Sequence, residues 1–418
     1  MANPKLRFKA DDGTDFPEWE YCCFDDVADG FNYGLGASAK EFDGLNTYIR
    51  ITDIDDDSRL FKIDGRMSPS QLLEKGLVQK NDILMARTGS VGKTFIYSGG
   101  LDPLYFAGYL IRIRVKEAFC PKFIFYTTLS SKFIKWVSIE SSRSVQPGLN
   151  AEQYRSYRFS CPCFEEQRKI ADFLSTFDDK IEAKEQQLEA LQETKKGLLQ
   201  QIFSQQLRFK ADDGTEFPEW ECCDFDSCFE FISNKAFSRE FLCDDDTPVK
   251  CIHYGDILIK YPTITDIKKV RVTSLKCPEL ANGVSRLKDG DVVFADTAED
   301  YTAGKAIEIA GLSDNVEAIA GLHTFACRPK YLFATGYLGY FLNSSNYHKQ
   351  IIPLLQGIKV YSINKKAIKG TKIFVPCQEE QRKIAEFLGA FDEKIEAVKR
   401  QLEALREIKK GLLQQMFV

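Results

Sequence analysis

Two stretches of this chain are near copies of each other. One opens Glu165-Glu-Gln-Arg-Lys-Ile-Ala-Asp-Phe-Leu and runs to Phe203; the other opens Glu379-Glu-Gln-Arg-Lys-Ile-Ala-Glu-Phe-Leu and runs to Phe417. A shorter pair, Leu6–Trp19 and Leu207–Trp220, is also nearly identical, whereas the stretches between the repeats share almost no sequence. A repeated frame that holds two divergent inserts constrains the fold strongly, because identical supports must position two different surfaces. The expected organisation is a repeated segment (1–20), a first variable domain (21–163), a central helix (164–206), the repeated segment again (207–221), a second variable domain (222–377) and a final helix (378–418).

In the long repeats, apolar positions alternate steps of four and three, the a/d pattern that keeps one seam on one face of a slightly supercoiled helix. The first seam contains Phe177, Ile181, Leu188 and Leu191, and the second Phe391, Ile395, Leu402 and Leu405. Glu, Lys, Gln, Leu and Ala fill the remaining positions and favour helix. At 1.5 Å per residue, a helix over 165–203 would be roughly 58 Å long, more than one domain face needs. The seams are therefore expected to pack against each other; the alternative is two amphipathic helices, each packed on its own domain. The segment 207–221 is too short for the long return that a parallel pair requires, so the pair should be antiparallel, with the variable domains at opposite ends. The repeat is also circular. If both copies of the short segment have the same surroundings, the C-terminal Gln-Gln-Met-Phe417 must lie beside Lys5–Leu6, and the halves are related by an approximate two-fold axis.

Both inserts read as mixed α/β. Asp82–Ala86, Leu110–Val115, Val249–His253 and Asp291–Ala295 have the composition of short strands bounded by turn residues. Pro121–Trp136 and Tyr337–Ile351 each read as one helix, at corresponding places. The 44% apolar and 28% charged composition is that of an ordinary soluble protein. There is no apolar run of spanning length and no leader-like start, so a cytoplasmic protein without membrane contact is expected. The thirteen cysteines are odd in number, two pairs are adjacent (Cys22-Cys23 and Cys222-Cys223), and none has C-x₂-C spacing. Buried thiols, with no metal site, are the expectation.

Catalytic signatures are missing. Gly89-Ser-Val-Gly-Lys-Thr94 looks like the end of a phosphate-binding loop, but the position that needs glycine is Arg87. The three histidines, His253, His323 and His348, all lie in the second insert. No nucleophile elbow, zinc-protease helix, Asn-Pro-Pro-Tyr loop or glycine-rich methyl-donor loop occurs, so no catalytic residue is assigned. The net charge is −5, yet the inserts are near neutral: 18 Lys/Arg against 16 Asp/Glu over 21–163, and 19 against 18 over 222–377. Neither could hold DNA tightly through phosphates alone, so a partner would have to supply much of that attraction.

With its two variable domains, each followed by a repeated helix that opens Pro162-Cys-Phe-Glu-Glu-Gln-Arg-Lys-Ile or Pro376-Cys-Gln-Glu-Glu-Gln-Arg-Lys-Ile, the chain resembles, over its whole length, the specificity subunit of Type I restriction–modification systems. Lys5-Leu-Arg-Phe8 and the strand–loop run Asn81–Lys93 are similar to the family's as well; the second domain departs from that run, with Asp291–Lys305 in its place. The resemblance implies an α+β, mixed α/β fold: two globular target-recognition domains separated by two long antiparallel coiled-coil helices in a pseudo-two-fold circular repeat. It implies a non-catalytic subunit that reads a bipartite site on double-stranded DNA and scaffolds two modification subunits, which methylate adenine, and the restriction/translocase subunits. S-adenosylmethionine, and ATP with Mg, would be used by those partners, and this chain would bind no cofactor. The rival reading is a structural adaptor that holds two copies of an enzyme and touches no DNA.

Polar loops after strands and helices supply the candidate DNA contacts. Arg87 can donate two hydrogen bonds to guanine, Thr88 and Ser90 share its loop, and Lys93 can meet phosphate; the alternative is a solvated turn in which Arg87 pairs with an acid. Arg143, Ser144 and Gln146 follow the first predicted helix. Their counterparts are Gln356, Lys359 and Tyr361, with Gln suited to adenine and Lys or Tyr to guanine edges or phosphate. Lys260, Tyr261, Glu299 and Tyr301 complete the set.

Overall fold

The computed structural model describes residues 4–101, 103–142, 147–245, 247–313 and 315–417. It forms two compact units, one of Met1–Gln186 with Arg400–Val418 and one of Gln187–Lys399. The long repeats are continuous helices, Phe164–Phe203 and Gln378–Met416, and each contributes residues to both units.

In the first unit an antiparallel sheet has the order Ala28–Tyr33, Leu110–Val115, Ile83–Ala86, Thr94–Ile96. One face of this sheet packs on the helices that follow it, through Phe123, Phe133, Tyr154 and their neighbours. The same core takes in Ile170 and Leu174 from the start of the first long helix, and Leu413, Met416 and Phe417 from the end of the second. The second unit repeats the order with Phe229–Ile232, Thr324–Pro329, Val292–Ala295 and Ala306–Ala310, and adds the parallel strand Ile264–Asp266 at the edge. Its core joins Ile202 and Phe203 to Ile384 and Leu388. Two inserts with little common sequence thus share a fold, because the apolar pattern of each strand is kept while individual side chains change.

Within each unit the helices run antiparallel. In the first, Asp178 receives Lys409 and, further along, Glu185 receives Arg406 at 2.7 Å, so the partner number falls as the helix number rises. In the second, Lys195 reaches Asp392 in the same way. Of the expected seam, Ile181, Ile395 and Leu402 are buried, whereas Phe177, Leu188, Leu191, Phe391 and Leu405 are half-buried. A two-helix seam has water on both flanks, and removal of Leu188 therefore costs less than removal of a core leucine.

The repeated sequence forms repeated joints. Buried Glu166 accepts from Arg7 Nε at 3.1 Å, Arg7 Nη2 at 2.7 Å and Trp19 Nε1 at 3.0 Å. Glu380 accepts from Arg208 at 3.2 and 2.9 Å and from Trp220 at 2.9 Å. The adjacent glutamines, Gln167 and Gln381, donate to Pro162 O and Pro376 O and accept from the Cys120 and Ala334 amides. The Pro-x-x-x-Glu-Gln motif is therefore a fastening between segment, domain and helix. Tyr126 donates to Asp178 at 2.5 Å and Tyr340 to Asp392 at 2.6 Å; burial first, then the carboxylate, holds both phenols well above their usual pKa. The circular closure is present too: Leu6 N–H donates to Gln415 O at 3.2 Å, and Leu207 N–H to the matching Gln201 O at 3.1 Å.

Three sequence expectations need correction. Pro121–Trp136 is not one helix but Pro121–Thr128 and Ser131–Ser141, and Tyr337–Ile351 is Tyr337–Leu342 and Ser345–Ile351. Ser130 and Ser344 make the breaks, because each buried hydroxyl accepts a hydrogen bond from the amide three residues on, at 3.2 Å, and so caps a new helix. The cysteines are free but not uniformly buried; Cys222 and Cys277 are exposed.

Glu308, 2% exposed, accepts from the Gly336 and Gly339 amides at 2.7 and 2.8 Å, yet burial outweighs these bonds and pushes its pKa up to about 7. Its proton is held in the folded state over a range where an unfolded glutamate, with a pKa of 4.5, has lost it. The folded state then binds more protons, and stability falls as pH rises through that interval. The stability difference between the native chain and Glu308→Gln should move by about 2 kcal/mol in the variant's favour between pH 5 and pH 8. Urea unfolding at both pH values checks it; a constant difference would show that the carboxyl is ionised throughout.

Candidate nucleic-acid interface

In the first unit the strands Ile83–Ala86 and Thr94–Ile96 are joined by a tight loop. Ala86 N–H donates to Lys93 O at 2.8 Å, Gly92 N–H to Ala86 O at 3.1 Å and Lys93 N–H to Ser90 O at 3.0 Å. Gly92 has φ +80°, and an added Cβ would lie 2.8 Å from Val137 Cγ1, so only glycine closes this turn. The Tyr154 hydroxyl clamps it by donating to Ala86 O at 2.7 Å and accepting from Gly92 N–H at 3.2 Å. Arg87 N–H donates to Tyr109 O, Leu149 N–H donates to Arg87 O, and Thr88 bridges Gly148. The backbone of 147–150 is thereby fastened beside the loop.

Arg87, Thr88 and Ser90 are thus brought together on one projecting turn. The Arg87 guanidinium lies 4.9 Å over the Tyr33 ring, a cation–π contact, and its Nε has no hydrogen-bond partner among the described residues. Among the described residues it does not pair with an acid, which was the alternative reading. Tyr109, 65% exposed, stands at the same place and was missed in sequence because a lone tyrosine beside a strand carries no pattern. Lys93 is a correction. It is 6% exposed and its ammonium pairs with Asp56 at 2.7 Å, so it is buried and already partnered, not a free cation for phosphate. Arg143, Ser144 and Gln146 lie outside the described residues.

The second unit builds the same joint with different side chains. Ala295 N–H donates to Lys305 O at 2.9 Å, Gly304 N–H to Ala295 O at 2.8 Å and Lys305 N–H to Thr302 O at 2.9 Å. Gly304, φ +90°, closes against Ile351 as Gly92 does against Val137. Lys305 also turns inward, donating to Leu258 O at 2.9 Å, and burial lowers its pKa. The loop has nine residues (296–304) where the first has six (87–92), which is why the two did not align in sequence. The Gly-Lys pair that ends both loops was the available signal.

Of the candidates here, Glu299 and Tyr301 lie on the loop, and the Tyr301 ring lies against Tyr361, tilted by 37° with centroids 4.7 Å apart. Thr297–Ala298 pairs with Tyr361–Ser362, and Gln356 and Ser362 exchange backbone hydrogen bonds at 2.9 and 2.8 Å. Lys359 is exposed on the turn this ladder closes, between exposed Ile358 and Val360. Lys260 ends the helix Tyr254–Ile259, which packs on Thr297–Ala298, and pairs with Asp256 at 3.2 Å. Tyr261 is a correction: it is buried in the core, its hydroxyl against the Thr273 amide at 3.4 Å. Missed by sequence reasoning were Asp296 and His323, whose Nδ1 lies 3.3 Å from the Asp296 carboxylate. The second loop is acidic, with Asp296, Glu299 and Asp300; Asp300 is used in the turn, accepting the Thr302 amide at 2.9 Å.

Among the described residues no group of three or more His, Cys, Asp or Glu could hold a metal ion, and no helix is long and apolar enough to cross a membrane.

The geometry agrees with what the chain is similar to. The Type I restriction modification DNA specificity domain model matches residues 18–193 and 287–407. The MjaVIII Type I restriction enzyme specificity subunit of Methanocaldococcus jannaschii is 26% identical over 353 residues, 81% of this chain and 78% of that protein. The putative MjaX specificity subunit of the same organism is 26% identical over 431 residues, 97% of this chain and 95% of that protein. Two solved structures share the fold. The S subunit of the Type I system of M. genitalium has a TM-score of 0.55 at 14% identity, covering 100% of this chain and 99% of that one. A chain from a study of complex assembly and conformational transition of the type I R-M system has a TM-score of 0.55 at 17% identity, covering 96% and 97%. The chain belongs to the Type I restriction–modification DNA specificity family, as a non-catalytic specificity subunit.

Proposed function

We propose that this subunit reads the two halves of a bipartite duplex site with two equivalent loops, 87–92 and 296–304, carried by recognition domains at 21–163 and 222–377. The observation that carries this reading is the duplicated joint: the same backbone bonds, closing glycine and inward lysine support two loops of unlike chemistry. A frame that keeps backbone position while side chains vary is what base reading requires, since base contacts specify and phosphate contacts only position. Arg87 is the guanine reader of the first half, with Thr88 and Ser90 beside it and Arg143, Ser144 and Gln146 as further candidates. Gln356, Lys359, Tyr361, Glu299, Tyr301 and Lys260 flank the second loop. Family membership favours this over an adaptor that touches no DNA.

Two modification subunits, using S-adenosylmethionine, and restriction/translocase subunits, using ATP with Mg, would complete the assembly. The near-neutral inserts leave little counterion release to this chain, so its binding to DNA should be weak alone. Fluorescence anisotropy on site-containing duplexes tests this across a salt series. Affinity and the slope of log K against log salt should both rise when the modification subunit is added; equal affinity and slope without it would refute the division of labour.

A further inference from the structure

The duplicated joint equates two residues that the sequences do not align. Arg87 donates its amide to Tyr109 O at 2.9 Å and accepts from Leu149 N–H at 2.8 Å. Asp296 donates its amide to His323 O at 3.0 Å and accepts from Ile363 N–H at 2.8 Å. Each follows the alanine that ends its strand, and each precedes a threonine paired to the neighbouring segment. One backbone position therefore holds a cation in one unit and a carboxylate in the other.

From this equivalence we infer that Asp296 is a specificity-determining residue of the second half-site, accepting a hydrogen bond from the exocyclic amino group of cytosine or adenine in the major groove. The inference rests on the reading that the loops contact DNA. An ionised carboxylate only accepts, so it matches cytosine N4 or adenine N6 and is repelled by the O6 and N7 acceptors of guanine, the atoms Arg87 would seek. Its geometry is prepared: the Thr297 hydroxyl donates to it at 2.7 Å and His323 Nδ1 lies 3.3 Å away, fixing the carboxylate while it remains 29% exposed. An acidic loop near phosphates is unfavourable unless such a donor compensates it, which is the physical reason for placing Asp296 at a base edge.

The test uses the complex of the full chain with its modification subunit and duplexes in which each base pair of the second half-site is changed in turn. The native complex should disfavour loss of one C·G or A·T pair by about 5- to 150-fold. Asp296→Asn should reduce or alter that preference at that pair alone, and which base is required there identifies the amino group. Preferences that stay unchanged in Asp296→Asn, or that fall equally at every position, would overturn the inference. If Asp296→Asn fails to melt cooperatively, Asp296→Glu, which moves the carboxylate by one methylene, replaces it; unfolding of both would show a purely structural residue and also overturn the inference. A native complex with no sequence preference would instead refute the DNA-reading function itself.

Discussion

Exchanging residues 21–160 for the equivalent insert of another specificity subunit should rewrite one half of the methylated motif and leave the other half as it was. The expected change is complete at the exchanged half, because every proposed base-reading group of the first unit lies within the insert. The structure also states the condition for success. Phe123 stacks on Phe417 with centroids 5.3 Å apart, and Tyr126 donates to Asp178 in the long helix. An incoming insert must offer an aromatic ring and a hydroxyl at these places, or the start of the first long helix and the end of the second lose the core they share. Methylation mapping of the chimaera checks the result. Changed bases in both halves would show that the domains do not read independently.

Glu380→Ala should destabilise the second unit by about 3 kcal/mol, with Glu166→Ala doing the same to the first. Glu380 is fully buried and satisfies two guanidinium nitrogens of Arg208 together with the indole N–H of Trp220, itself 8% exposed. Truncation leaves a buried donor unpaired and a cation without its partner, the costly half of a buried ion pair. Arg208 also donates to the Phe217 and Pro218 carbonyls and keeps partial access to water, which holds the loss near the lower end of the usual range. Arg208→Ala should cost at least as much, since it leaves the fully buried Glu380 carboxylate with only the Trp220 N–H and no counter-charge. Calorimetric melting of both variants measures the difference; a markedly smaller loss for Arg208→Ala would mean that the buried indole bond, and not the charge, dominates.

What was legible in the sequence followed from repetition. Paired heptads gave the helices, the short 207–221 connection gave their antiparallel sense, and the circular order required the C-terminal Gln-Gln-Met-Phe417 to lie beside Lys5–Leu6, as the Leu6–Gln415 bond has it. Where a single residue decides, the pattern was silent. Ser130 and Ser344 sit inside apolar runs that read as unbroken helix, and only their caps divide them. Lys93 resembles a phosphate ligand by type, but it is buried and Asp56, 37 positions earlier, already pairs with it. Tyr261 has the polar tip of a binding residue and the packing of a core residue. The second loop escaped alignment because three extra residues separate the strand from its Gly-Lys close. Asp296 and His323 therefore emerged only when the backbone bonds could be matched.

The central claim is that one chain carries two independent DNA readers on duplicated supports. Sequencing the methylated adenines of cells that express this subunit with its modification partner tests it most directly. Two short specified blocks separated by an unspecified gap of fixed length, present only when this chain is expressed, are the predicted result. A single uninterrupted block, or the same methylation without this chain, would contradict it.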